Sequence, residues 1–489
     1  MFKQFNLQPK YIYLIGILFL VVASIFSTGY HHYDEHFQIL EFAGLKLGLT
    51  TAENLPWEYH YQMRPSLQPT MAVVIYRFLG FLGIDNPFIV TFLLRLLSGG
   101  LAFWTTLLLY RVYKNKISDT LLKRWFLILS FTLWFFIYSG VRFSSENWSG
   151  LLFIIGFAYY FLLQKRNFLS FLAIGALLGL SFLFRYQTAF LTFGFTLWLL
   201  IIQKEQFTNI AKIVIGFLSI ALIGVLIDTW FYGEWTITTW NYFTQNIIED
   251  KVSGFGVDPW WYYLTKSFEQ GVYPISLLFI VSFFVVAIFK PKSPIIWSVI
   301  PFLLIHNIIG HKELRFLFPI ILFIPIVIIK GIQIIQDKYV QNLSANKYLK
   351  GYMKLVFMAN AVLLLIIMFK PADNQISLYQ KLYSNYKEPT TLYYLERNPY
   401  HRVLDINFYK RKNLSLVPIT SIDDIPESKK SLVVMEHRDE SNNPRLGKMV
   451  FSTFPDWLLK FNFNNWQSRS RAWFIYEVHK DELGNTKNK

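Results

Sequence analysis

Residues His311 to Phe316 read HKELRF, placing His311, Lys312, Glu313 and Arg315 at the boundary between two apolar runs. Snorkelling accounts for one or two cations at a helix end, not for an alternating cation–anion–cation set. Such a cluster suits a lipid-linked phosphate, with the Arg315 guanidinium able to grip two oxygens. A second group, YDEHFQ, puts Asp34 and Glu35 just beyond the first apolar run. A carboxylate there can act as general base towards an attacking hydroxyl; the plain alternative is a solvated loop start. His31, His32 and His36 flank these acids, but their spacing matches no strong metal-ligand motif, and no metal is expected.

Further groups lie on the same face of the chain. WEYHYQMRPS (57–66) brings Glu58 and Arg64 among aromatics, a combination suited to a sugar pocket and equally to an interfacial belt. Arg142 and Glu146 in VRFSSENW, and Arg185 in FRYQT, stand at the ends of apolar runs. Each alone reads as an interfacial anchor; together with the histidine cluster they can surround one anionic group. Asp228 opens a long aromatic and glycine-bearing loop suited to a lid or platform, and reads equally as a helix-end charge.

The elements that must position these residues follow from composition. Of 489 residues, 54% are hydrophobic and 19% aromatic, and the mean hydropathy is +0.34. Several apolar runs are long enough to cross about 30 Å of hydrocarbon. The fold class is an α-helical polytopic membrane protein. Eleven spans are expected, at 11–28, 88–110, 125–140, 148–163, 168–184, 187–202, 209–227, 274–290, 295–309, 316–332 and 353–369. The stretch 69–84 carries Arg77 and reads as an interfacial or re-entrant helix. With the N-terminus inside, nearly every short basic loop falls on one side, as the positive-inside rule requires. The net charge of +16 is therefore ascribed to membrane topology and anionic headgroups, not to nucleic acid.

Cysteine is absent, which removes disulfides and thiolate chemistry. The first apolar run lacks a small-x-small cleavage site and reads as an uncleaved span. Residues 1–370 are expected to form the multispan domain, with the outer loop 29–87 catalytic. Residues 371–489 are expected to form a soluble, non-cytoplasmic α/β extension, with a strand at Ser431–His437 and a further aromatic run at Arg471–Val478.

In this order the segments resemble glycosyltransferase family 22, whose members include GPI-anchor mannosyltransferases and luminal mannosyltransferases of the asparagine-glycan precursor, with GT-C architecture. The opening H-x-D-E-x-x-Q is matched by His32, Asp34, Glu35 and Gln38. The W-E…R-S segment is matched by Trp57, Glu58, Arg64 and, one residue displaced, Ser66. Arg142, Ser145 and Glu146 follow, then a D-x-x-F-Y-G…N-F…N loop at Asp228, Phe231, Tyr232, Gly233, Asn241, Phe243 and Asn246. His311 to Phe316 match H-K-E-x-R-F completely. Tyr33 replaces a usual proline, Pro65 interrupts the R-S pair, and Glu146 stands near a position often held by Asn.

The resemblance implies a mannose donor on a polyprenyl phosphate and a glycan or glycolipid acceptor. It implies an inverting single displacement without a cofactor, among membrane lipids. Asp34 would be the base, with Glu35 positioning the acceptor or loop, while His311, Lys312, Arg315, Arg142 and Arg185 would hold the donor phosphate. His32, Gln38, Trp57, Glu58, Arg64, Glu146, Tyr232, Asn241 and Glu313 would bind acceptor and sugar. The expected site is the periplasmic or extracellular face of a bacterial inner membrane, or the endoplasmic reticulum lumen in a eukaryote. A GT-C transferase for another lipid-linked sugar is the nearest alternative. A lipid-linked-sugar transporter, which would place charges near mid-membrane in repeated halves, is the more distant one.

Overall fold

The computed structural model describes residues 8–339, 346–426, 431–436, 446–466 and 472–478. His437, Arg471 and the end of the tail lie outside the described residues, as does part of the basic loop before residue 347. Contacts divide the chain into two compact units.

The first unit comprises residues 1–27, 61–71 and 92–370 and is almost entirely helical. Among the described residues, five helices are long and apolar enough to cross a bilayer: Pro9–Phe26, Pro87–Lys116, Phe207–Tyr232, Leu314–Lys338 and Lys347–Phe369. Two bent pairs, Thr120–Thr132 with Trp134–Gly140 and Tyr273–Phe289 with Pro294–Ile308, bring the total to at most seven. The chain is an integral membrane protein, but the expected eleven separate spans are not all matched by spanning helices. The difference lies in length: Phe168–Phe184 has 17 residues, which rise only about 26 Å at 1.5 Å each, short of about 30 Å of hydrocarbon.

Glycines set the helix contacts that matter for the site. A Cβ on Gly175 would stand 1.9 Å from the carbonyl oxygen of Ile213, and one on Gly216 2.2 Å from that of Leu172. The helices Phe168–Phe184 and Phe207–Tyr232 therefore meet backbone to backbone, as small residues permit in membranes. Likewise a Cβ on Gly150 would lie 2.4 Å from Pro319 Cα. That approach sets the Ser145–Leu162 helix against the 3₁₀ segment Leu314–Phe323, and so brings the start of one towards the other.

The second unit comprises 28–60, 72–91 and the tail from Pro371. Contacts thus group the outer loop with the tail except for residues 61–71, whereas the boundary read from composition alone placed all of it with the helices. Exposed Val74, Phe78 and Phe81 make an apolar stripe along the Leu67–Phe81 helix, a pattern that suits an interfacial helix. The tail holds a five-stranded sheet of β1 (Thr390–Tyr394), β2 (Leu414–Pro418), β3 (Ser431–Met435), β4 (Met449–Ser452) and β5 (Phe474–Val478), in the order β2-β1-β3-β5-β4. β1 runs parallel to β2 and β3, and β5 runs antiparallel to β3 and β4. Leu392, Val433 and Ile475 are buried along its three central strands.

Candidate active site

Two buried polar clusters bear on the site among the described residues of the first unit. The Ser145–Leu162 helix starts where Ser144 accepts a hydrogen bond from the Asn147 N–H at 3.3 Å. That leaves Glu146 in the first turn, where a negative charge faces the positive end of the helix. Glu146 is only 2% exposed. Its Oε1 accepts from Arg185 Nη1 at 2.8 Å and from Arg315 Nη1 at 2.8 Å. Glu313 then grips Arg315 twice, through Oε2 to Nε at 2.6 Å and Oε1 to Nη2 at 3.0 Å, the fork-to-fork geometry that gives guanidinium its specificity. His311 Nε2 lies 3.1 Å from Glu313 Oε1. The Arg185 guanidinium sits 4.7 Å from the Phe316 ring centre. HKELRF is therefore knitted to the helix ends carrying Glu146 and Arg185.

Two further cations of the expected phosphate set have backbone partners. Arg142 donates to the backbone oxygen of Ser27 at 2.8 Å and to its hydroxyl. Lys312 is 3% exposed, and its ammonium donates to the carbonyls of Ile309 (2.5 Å), Asp258 (3.0 Å) and Gly310 (3.2 Å). Three acceptors match the three protons of an ammonium. Burial holds the Lys312 amine below its usual pKa. Within the first cluster the guanidiniums Arg185 and Arg315 are matched in number by the carboxylates Glu146 and Glu313.

The second cluster surrounds Asp228, the residue left open in the sequence as a helix-end charge. An acid near the C-terminal end of a helix opposes the helix dipole and calls for local donors. Asp228 has them: Ser66 N–H at 2.7 Å and Ser66 hydroxyl at 2.6 Å on Oδ1, and the Thr238 hydroxyl at 2.6 Å on Oδ2. Around it, Tyr232 donates to the Arg64 carbonyl at 2.8 Å, and Asn241 to the Gln62 carbonyl at 3.2 Å. The Arg64 guanidinium lies 5.6 Å from the Tyr242 ring centre. Tyr232 and Asn241, expected at the acceptor side with Arg64, thus hold the 62–64 backbone, while Asp228 ties the adjoining Ser66 to Thr238. The signal of Asp228 was present in the D-x-x-F-Y-G spacing and in its unfavourable place on the helix.

Asp34, Glu35 and their neighbours belong to the second unit. His32 caps a short helix by accepting the Asp34 N–H on Nδ1 at 3.2 Å, and the same nitrogen lies 3.4 Å from Asp34 Oδ1. The Asp34 side chain remains 27% exposed. Glu35 Oε2 accepts the His31 N–H at 3.0 Å. Gln38 donates to Glu58 Oε1 at 2.9 Å, and Trp57 begins the one-turn helix that carries Glu58.

Residues 11–411 match the Alg9-like mannosyltransferase family, and the chain belongs to it. It is 27% identical over 300 residues to GPI alpha-1,2-mannosyltransferase 3 of Bos taurus, covering 59% of this chain and 53% of that protein. It is also 27% identical over 336 residues to mannosyltransferase APTG1 of Arabidopsis thaliana, covering 64% and 57%. The chain spans about half the length of these curated relatives. Among solved structures, ArnT from Cupriavidus metallidurans bound to undecaprenyl phosphate aligns with a TM-score of 0.49 at 12% identity, over 96% of this chain and 97% of that one.

Proposed function

We propose that this protein transfers mannose from a polyprenyl-phosphate carrier to a hydroxyl of a glycan or glycolipid, on the non-cytoplasmic face of its membrane. The acceptor oxygen attacks the anomeric carbon as the bond from that carbon to the phosphate oxygen breaks, with inversion. The acceptor proton passes to the Asp34 carboxylate, and polyprenyl phosphate leaves with the electron pair. Arg185, Arg315 and His311 meet the charge that develops on the phosphate. A phosphate leaving group needs little protonation, so one carboxylate suffices where glycosidases use two. Glu35 sets the loop, and His32, the Gln38–Glu58 pair, Trp57, Arg64, Tyr232 and Asn241 select acceptor and sugar. Lys312, engaged by three carbonyls, anchors the Asp258 loop in this scheme and does not hold phosphate.

The observation that carries the reading is the shared Glu146 oxygen, which presents two buried guanidiniums side by side in a mannosyltransferase-family chain. The basic loops on the opposite side support the orientation. The test is mannosyl transfer in membranes from polyprenyl-phosphate mannose to candidate acceptors, comparing wild type with Asp34→Asn. The variant is expected to lose about 100-fold or more in rate. An equal rate overturns the base assignment, and transfer of another sugar but never mannose overturns the donor.

A further inference from the structure

The tail holds the turn bearing Asp34 and Glu35 from both sides. Before the turn, the Thr28 carbonyl accepts the N–H groups of Ala372 at 2.8 Å and Asp373 at 3.1 Å. Gly29, at φ +88°, lies so close to Asp373 that a Cβ would stand 2.8 Å from the Asp373 Cβ and 2.9 Å from its nitrogen. Asp373 is fixed in turn by Arg402, whose Nη2 reaches its two oxygens at 3.1 and 3.0 Å.

After the turn, the fully buried Glu41 receives three donors on Oε1: Asn407 N–H at 2.8 Å, Phe408 N–H at 3.0 Å and His36 Nε2 at 2.8 Å. His36 is fully buried too and stacks on Tyr409, ring centres 5.5 Å apart and planes at 19°. His36 and Glu41 delimit a turn of π-helix, His36–Glu41, a geometry found often at functional sites. A buried carboxylate is expensive, and here all three donors fall on one oxygen while Oε2 has no hydrogen-bond partner among the described residues. A loop that needed only solubility would carry no such acid, so its burial points to a fixed geometry.

The family match leads to the same place. It runs past the last membrane helix, which ends at Phe369, through both attachments, and stops at residue 411, before β2. We infer that residues 371–411 are a working part of the transferase: Asp373 and the 405–409 segment clamp the turn 28–41, and Glu41 is the positioning residue through which the clamp sets Asp34. This rests on the proposed role of Asp34 as base.

The test uses the full chain in lipid nanodiscs. Glu41→Ala is expected to lower kcat about 10- to 100-fold, as misplacement of about 1 Å does, with donor KM unchanged. Glu41→Gln keeps the acceptor oxygen and should restore kcat to within about threefold of wild type. Ile425→Ala, which opens the tail core away from the clamp, should lower thermal stability and leave turnover per folded molecule unchanged. Hydrogen exchange at residues 30–36 reads the clamp without substrate and should quicken in Glu41→Ala and Gly29→Ala but not in Ile425→Ala. Unchanged exchange there, or a Glu41→Gln protein as impaired as Glu41→Ala, overturns the inference. A wild-type protein that transfers no mannose overturns the proposed function instead, and the exchange result still decides the clamp.

Discussion

Glu146 and Arg315 lie 169 residues apart in the chain and meet at 2.8 Å through a carboxylate oxygen that Arg185 also uses. Glu313 holds the other edge of the Arg315 guanidinium, so its orientation is set from two sides. Arg315→Lys keeps the charge and loses the planar fork. Its kcat/KM for the polyprenyl-phosphate donor should fall about 10- to 100-fold, seen in initial rates at varied donor. A loss smaller than about threefold removes Arg315 from the phosphate site.

Lys312 makes the opposite prediction. Its ammonium joins the Ile309, Gly310 and Asp258 carbonyls, so Lys312→Met removes a donor from three half-buried carbonyls, of which Gly310 keeps the Asp258 N–H. The expected result is a lower thermal midpoint and faster proteolysis near 251–258, with donor KM changed by less than about threefold. A tenfold rise in donor KM at unchanged stability would return Lys312 to the phosphate.

Asp228 ties Ser66 to Thr238. Asp228→Ala strands all three donors and should destabilise the first unit by about 3 kcal/mol, measured as a shift in thermal unfolding in detergent. Asp228→Asn keeps two acceptor positions on its carbonyl oxygen and should recover about half of that loss. Equal stability of wild type and Asp228→Ala would show that the cluster does not hold the 61–71 segment.

Alkaline pH tests the tail's interior. Burial raises the phenol pKa of Tyr30, Tyr379 and Tyr400 well above the usual value, and the charge of Asp373 adds to this at Tyr30. Above about pH 10 the unfolded chain releases these protons while the folded one keeps them. The unfolded state then binds fewer protons, so stability falls as pH rises. Thermal midpoints from about pH 9 to 11 should drop, and Tyr30→Phe should make the slope shallower. A flat profile to pH 11 contradicts the burial of these phenols.

Much of this architecture was legible from residue type. Charges at the edge of an apolar run stand out against hydropathy, which is why HKELRF and its link to Arg185 and Glu146 could be anticipated. The strand at Ser431–Met435 was legible from its β-branched residues. What Lys312 faces was not, because an ammonium at a helix end suits a phosphate or nearby carbonyls equally well in sequence. The count of eleven spans is not reproduced among the described residues for a related reason: hydropathy marks an apolar run but not whether its helix is long or straight enough to cross. Glu41 left no trace at all. Its tail partners, Asn407 and Phe408, contribute backbone N–H groups, which every non-proline residue has, so no side-chain pattern announces them.

The clamp also has an order in time. Glu41 and the N–H of Asn407 are separated by 366 residues. At ordinary elongation rates of about 5–20 residues per second, about 20–70 s pass between synthesis of one and of the other. The acids at Asp34 and Glu35 are thus made among the first residues and secured among the last. A chain cut short within the last membrane helix, Lys347–Phe369, carries every charged motif named above yet lacks the segment that, on the proposed clamp, fixes the turn bearing Asp34.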